Sequence, residues 1–209
     1  MRLLLSLIAF LAIAACSDAE RDAAADADGN GSISAETAGG AADRPATIDC
    51  ARASGQAEQA VCADKELIAI DRAMGAMTGY AADAAWTAKR GECSRSDDLR
   101  QCLLDLYGSR IAALAAGRTK EGGILVGPVS LRCGTEDVKA LFVNSDPGAV
   151  HLELGERQVT LPHVAAASGA KYEGSPDGEL WSFWSKGNES VLIRAGAETK
   201  CQEHGRIDE

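Results

Sequence analysis

Around Gly122 the apolar pattern of this 209-residue chain changes period, and that change decides its architecture. Upstream, Leu67, Ile70, Met74, Met77, Ala81 and Ala84 recur at steps of three and four, as do Leu99, Leu103, Tyr107, Ile111 and Leu114. Each set forms one apolar stripe on a helix. Asp64 is placed to cap the first, Asp97 and Asp98 complement the positive end of the second, and Gly117 is placed to stop it. Downstream, 138–143, 150–154, 158–161 and 190–194 alternate with period two. Turn residues at 146–148, Gly155, 176–178 and Gly187-Asn188 separate them. With no helix between strands, the segment reads as an antiparallel meander closed as a small sandwich or barrel. The expected class is α+β in two domains: a small disulfide-bonded α-helical module followed by an antiparallel β-barrel or sandwich.

Two helices bury little apolar surface, so covalent staples are expected. The chain has seven cysteines. With Cys16 set aside, Cys50, Cys62, Cys93, Cys102, Cys133 and Cys201 remain, an even set that an oxidising compartment would pair. Six cysteines leave fifteen pairings open. The local pairs Cys50–Cys62 and Cys93–Cys102 suit the helical part, and Cys133–Cys201 would tie together the ends of the β-part. No C-x-x-C pair occurs, which argues against zinc and thioredoxin-like chemistry. The scattered His151, His163 and His204 read as surface or structural residues.

The first residues carry a different message. Met1-Arg2 precede an apolar run, 3–15, that ends at Cys16. The run has the layout of a secretory signal peptide and falls short of the roughly 20 residues a spanning helix needs. Leu11-Ala-Ile-Ala-Ala-Cys16 resembles the lipobox of bacterial lipoproteins. That resemblance implies cleavage before Cys16 and its modification with palmitate-type acyl chains, an effectively permanent membrane anchor. Ser17 stands where an Asp would favour inner-membrane retention, so an outer-membrane lipoprotein facing the periplasm is expected. Residues 16–46 are rich in Ala, Asp, Gly and Ser and read as an acidic, disordered tether. Within it, Asp26, Asp28 and Asn30 match the first ligands of an EF-hand loop. Thr37 occupies the twelfth position, where a bidentate Glu is needed, and an acidic linker is the preferred reading. No cofactor and no resident metal are expected.

The stretch DCARASGQAEQAVCADKELIAIDRAM, followed by Trp86, Arg90, Cys93, Cys102 and Tyr107-x-x-Arg110-Ile111, resembles the LprI-type N-terminal domain. That family consists of small disulfide-bonded helical envelope modules and takes its name from a lysozyme inhibitor. The resemblance covers roughly 47–116 and implies structure more than chemistry.

Two segments of the β-part are unusual for plain strands: Val164 to Tyr172 and Leu180 to Ser190. Ser168-Gly-Ala-Lys171 has the S-x-x-K spacing of serine β-lactamases. In those enzymes Ser opens a helix and Lys lies one turn on, a geometry that Gly169 and a place between strands deny; S-D-N and K-T-G partners are absent. SGAKY followed by FWSKG, bracketed by Cys133 and Cys201, instead resembles the MliC family, lipid-anchored inhibitors of c-type lysozyme built as small antiparallel β-barrels. The resemblance runs over roughly 125–203. Ala166 stands where that family often has Ser, and Lys171 where Arg is also common.

The resemblance implies that Ser168 and Lys186 enter the lysozyme cleft. On physical grounds Gly169 and Gly187 would let the backbone approach closely, and Tyr172 with Trp184 would brace the loops. Trp181, Phe183 and Trp184 otherwise read as core or rim packing. The net charge of -10 suits a strongly basic lysozyme partner and opposes nucleic-acid binding. The expected organisation is a signal peptide (1–15), a lipidated tether (16–46), a helical domain (47–118) and an inhibitory β-domain (119–209). The chain reads as an inhibitor of c-type lysozyme and not an enzyme. The alternative is a non-inhibitory envelope-binding or structural lipoprotein.

Overall fold

The computed structural model describes residues 44–116 and 123–204. Cys16, the calcium candidates Asp26, Asp28 and Asn30, and Gly117 lie outside them.

The helical part has more elements than its two apolar stripes indicated: α1 (Gln56–Ala63), α2 (Lys65–Thr78), α3 (Ala84–Glu92), a 3-10 turn (Cys93–Arg95) and α4 (Leu99–Ala115). Asp64 caps α2, its carboxylate accepting from the N–H groups of Glu66 and Leu67 at 2.9 and 3.0 Å. The stripe expected to run on to Ala84 is cut at Thr78. Gly79 takes φ +63, a left-handed conformation that glycine adopts without steric cost and that closes the helix. Ala84 instead opens α3, which Asp83 caps through the Trp86 N–H. Asp98 caps α4 through the Gln101 N–H at 2.8 Å.

Leu67, Ile70 and Met74 of α2 and Leu103, Leu104, Tyr107 and Ile111 of α4 are fully buried, and the Trp86 ring stands edge-on to Tyr107 with centroids 5.1 Å apart. One carboxylate, Asp71, is buried with them. It accepts from the Tyr107 hydroxyl at 2.8 Å and from the Thr47 N–H at 2.6 Å, so the incoming chain is pinned to the core. Disulfides join Cys50 to Cys62 and Cys93 to Cys102.

The β-part is a closed barrel of eight antiparallel strands in sequence order: β1 (Leu125–Cys133), β2 (Glu136–Val143), β3 (Ala149–Leu154), β4 (Arg157–Val164), β5 (Ala170–Gly174), β6 (Trp181–Lys186), β7 (Glu189–Arg194) and β8 (Ala197–Glu203). Alternation sends Val138, Ala140, Val150, Leu152, Leu161, Tyr172, Phe183 and Leu192 into the interior. The Cys133–Cys201 disulfide crosses the β1–β8 pair that closes the barrel. On the chain-entropy estimate a loop of that length contributes about 4 kcal/mol. At one end the guanidinium groups of Arg157 and Arg194 lie over the Trp181 ring, 4.7 and 5.4 Å from its centroid. The other end carries the β2–β3, β4–β5 and β6–β7 connections.

Helices and barrel share a wall. Leu141, Val143 and Ala149, on the outer face of β2 and β3, belong to the helical core. α4 lies close because residue 108 is glycine: a Cβ there would run into Thr160 Oγ1 and come within 2.5 Å of His151 Nδ1.

The seam is polar where the barrel parts. β4 and β5 pair only at His163–Tyr172 and Val164–Lys171, so the earlier part of β4 has no strand on that side. Two side chains of α4 serve it instead. Asp105 accepts from the Thr160 N–H at 2.6 Å, and the Gln101 amide donates to the Thr160 carbonyl at 3.2 Å. Burial raises the Asp105 carboxyl to about 6, against the lowering effect of its bonds from Thr160 and Gln101. Burial also lowers His151, whose Nδ1 lies 2.9 Å from Thr160 Oγ1, to about 4.

Candidate functional site

Ser168 and Gly169 lie in the connection from β4 to β5, and Gly187 lies in the two-residue turn from β6 to β7. Because the barrel runs strictly up and down, both connections emerge at the same end. β5 and β6 pair directly, with Ala170 opposite Ser185 and Lys171 opposite Trp184. The turn itself is tight: Lys186 faces Glu189 and Gly187 takes φ +58. Glycine is favoured at such a first central position of a two-residue hairpin.

Side-chain direction follows from strand parity. Phe183 points inward, so Trp184 points outward, and Lys186 two residues on projects on the same side. Lys186 is exposed, and among the described residues its ammonium has no ion-pair partner. Lys171 on the neighbouring strand differs, because its ammonium is held by Glu173 at 2.6 Å.

Ser168 is exposed, with no hydrogen bond to its hydroxyl among the described residues. Its carbonyl is engaged: the Trp184 indole N–H donates to it at 2.9 Å. Gly169, at φ +72, presses against the same hairpin. A Cβ there would stand 2.6 Å from the Ser185 carbonyl oxygen and 3.0 Å from both Lys186 Cβ and Trp184 Nε1. A side chain at 169 would therefore force the two connections apart. The result is an ammonium without an ion-pair partner and a hydroxyl without a hydrogen bond, among the described residues, presented from two touching loops.

Tyr172 sits differently from the other residues singled out in the sequence. It is almost wholly buried, with its ring 5.8 Å from Phe142 and 5.5 Å from His163, and burial pushes its hydroxyl up to about 12. Its place is inside the barrel mouth beneath the loops. Trp184, read from sequence as a brace for the loops and otherwise as core or rim packing, carries the one hydrogen bond outside the strand ladders that reaches 165–169 among the described residues. The available signal was parity: an aromatic residue two positions before Lys186 on the outward side of its strand. Among the described residues no group of three or more His, Cys, Asp or Glu side chains is placed to hold a metal ion.

Residues 132–200 match the family model of the membrane-bound lysozyme-inhibitor of c-type lysozyme, MliC. The chain is 29% identical over 152 residues to Lipoprotein LprI of Mycobacterium bovis, covering 65% of this chain and 74% of that protein. Lipoprotein LprI of Mycobacterium tuberculosis matches to the same extent. The membrane-bound lysozyme inhibitor of C-type lysozyme from Yersinia enterocolitica is 40% identical over 63 residues, 30% of this chain and half of that protein. The likeness read from the residues, an LprI-type helical part before an MliC-type barrel, is the likeness these comparisons find. The matched family is one of inhibitors, not of enzymes.

Proposed function

We propose that this chain is a lipid-anchored envelope protein that inhibits c-type lysozyme by placing Lys186 and Ser168 in the catalytic cleft. The observation that carries the reading is an exposed Lys186, without an ion-pair partner among the described residues, on a hairpin that meets the loop of exposed Ser168, on a barrel matching the MliC family. A retaining glycosidase cleft holds two carboxyl groups about 5 Å apart, one kept protonated as the acid. An ammonium entering that cleft pairs with the ionised carboxylate, and the attraction strengthens as water leaves. A hydroxyl beside it can donate to one carboxyl oxygen and accept from the protonated one. Occupation of the cleft excludes the polysaccharide, so the inhibition is competitive. Glu173 and Glu189 near the loops, within a chain of net charge -10, favour encounter with a basic enzyme.

The likeness to a lipoprotein and to a membrane-bound inhibitor supports anchoring through Cys16 after removal of residues 1–15. On this reading 16–46 form the tether, 47–118 the helical domain and 119–209 the inhibitory domain, held at the outer membrane.

The test is a muramidase assay with the full mature chain and a c-type lysozyme, comparing wild type, Lys186→Ala and Ser168→Ala. The whole chain is used because α4 packs against β3 and β4 and bonds the Thr160 backbone. Removing one partner of a desolvated ion pair costs about 2–5 kcal/mol. Lys186→Ala should therefore weaken inhibition by a factor of 30 or more, as an order of magnitude. Ser168→Ala should lose less. Full inhibition by Lys186→Ala would refute the cleft insertion, and no inhibition by folded wild type would favour a non-inhibitory envelope lipoprotein.

A further inference from the structure

The structure assigns Trp184 as the positioning residue that fixes Ser168 relative to Lys186. The assignment rests on the proposed insertion of those two side chains into the lysozyme cleft. Residues 165–169 are five exposed residues between β4 and β5, three of them alanines that offer no polar side chain. Outside the ladders, the hydrogen bond from the Trp184 indole to the Ser168 carbonyl is their one tie among the described residues. Trp184 stands on the outer face of β6, directly across from Lys171 on one side and Val191 on the other. Its backbone is thus held by two neighbouring strands, whereas 165–169 have no ladder bond, so the loop is the part the indole bond restrains. The same indole nitrogen is one of the atoms that a Cβ at Gly169 would meet, along with Lys186 Cβ. Indole, loop and Lys186 stem therefore meet at one point.

The consequence is preorganisation. A side chain already held in its bound position loses less freedom on association, and the saving appears as affinity. Trp184 need not touch the enzyme to contribute. Without the indole N–H, the hydroxyl of Ser168 samples many positions relative to Lys186, and ordering it again opposes binding. Loss of one hydrogen bond of ordinary net strength corresponds to about a five- to tenfold weaker inhibition constant.

The experiment compares wild type, Trp184→Phe, Ser168→Ala and the double variant as full mature chains in competitive inhibition of a c-type lysozyme. Trp184→Phe keeps an aromatic ring on the strand and deletes only the indole and its donor. It should weaken inhibition about five- to tenfold in wild type and less than about twofold in Ser168→Ala, where no hydroxyl is left to position. Equal weakening in both backgrounds would overturn the assignment, since general destabilisation or direct contact of the indole with lysozyme multiplies independently of Ser168. No weakening in wild type would overturn it as well.

A second readout does not need the variant to fold. In wild type the Trp184 indole proton should exchange with solvent at least about tenfold more slowly than that of a free indole, as a bonded donor requires. Unprotected exchange would refute the clasp. If Ser168→Ala and Lys186→Ala themselves inhibit like wild type, the cleft insertion fails. If they weaken inhibition while Trp184→Phe does not, only the Trp184 assignment falls.

Discussion

Gly108→Ala tests how closely the helices are seated on the barrel. Two effects oppose each other. Alanine is favoured over glycine within a helix by about 1 kcal/mol. Against this, the new methyl has no room: it meets Thr160 Oγ1 and comes within 2.5 Å of His151 Nδ1. Both atoms belong to strands of a closed barrel, and forcing a methyl into such packing costs about 1–3 kcal/mol. Gly91→Ala in α3 supplies the control, because a Cβ there has no heavy atom within 4 Å. The propensity gain is common to both, so the difference between the variants isolates the packing cost at about 1–3 kcal/mol. Urea unfolding followed by tryptophan fluorescence, read as the midpoint at constant slope, measures it. Gly91→Ala should be slightly more stable than wild type and Gly108→Ala less. Equal stability of the two variants would refute the argument that α4 is held against β3 and β4 by the missing side chain.

The same seam predicts an unusual pH response. Buried His151, lowered to about 4, contributes stability above its unfolded value near 6.5 and loses it as the pH falls towards 4. Asp105, raised to about 6, acts in the opposite sense: the folded chain takes its proton first, so stability rises as the pH falls from about 6 towards 4. The two nearly cancel in wild type. Relative to wild type, His151→Asn should gain stability between pH 6 and 4 and Asp105→Asn should lose it, by about 1–3 kcal/mol at most. Parallel pH profiles for all three proteins would contradict this. Tyr107→Phe removes one of the donors to buried Asp71 and should cost about 1.5–3 kcal/mol in denaturant unfolding. Wild-type stability in that variant would mean that the Asp71 carboxylate does not depend on the Tyr107 hydroxyl.

Short-range pattern alone determined much of this protein. Period-three-and-four stripes located α2 and α4, Asp64 and Asp98 marked their starts, and period-two runs located β2, β3, β4 and β7 within a closing meander. These features are legible because helix and strand periodicity, caps and turns are set by neighbours a few residues away. The paired motifs around Ser168 and Lys186 were likewise visible as sequence. Four helices in place of two were not. α1 and α3 are eight and nine residues long, too short for a stripe to stand out, and Gly79 was one glycine within an apparently continuous pattern.

Only the tertiary structure decided the rest. Nothing in the pattern of α4 shows that Asp105 takes the N–H of Thr160, 55 residues away, or that Gly108 is the point of closest approach. The alternation of β6 does not say that the outward Trp184 will find a carbonyl 16 residues earlier. Such bonds depend on where closure of the barrel leaves a backbone group without a strand partner. A buried or half-buried polar group must then find some donor or acceptor, and which one is near is settled by the packing of the whole chain.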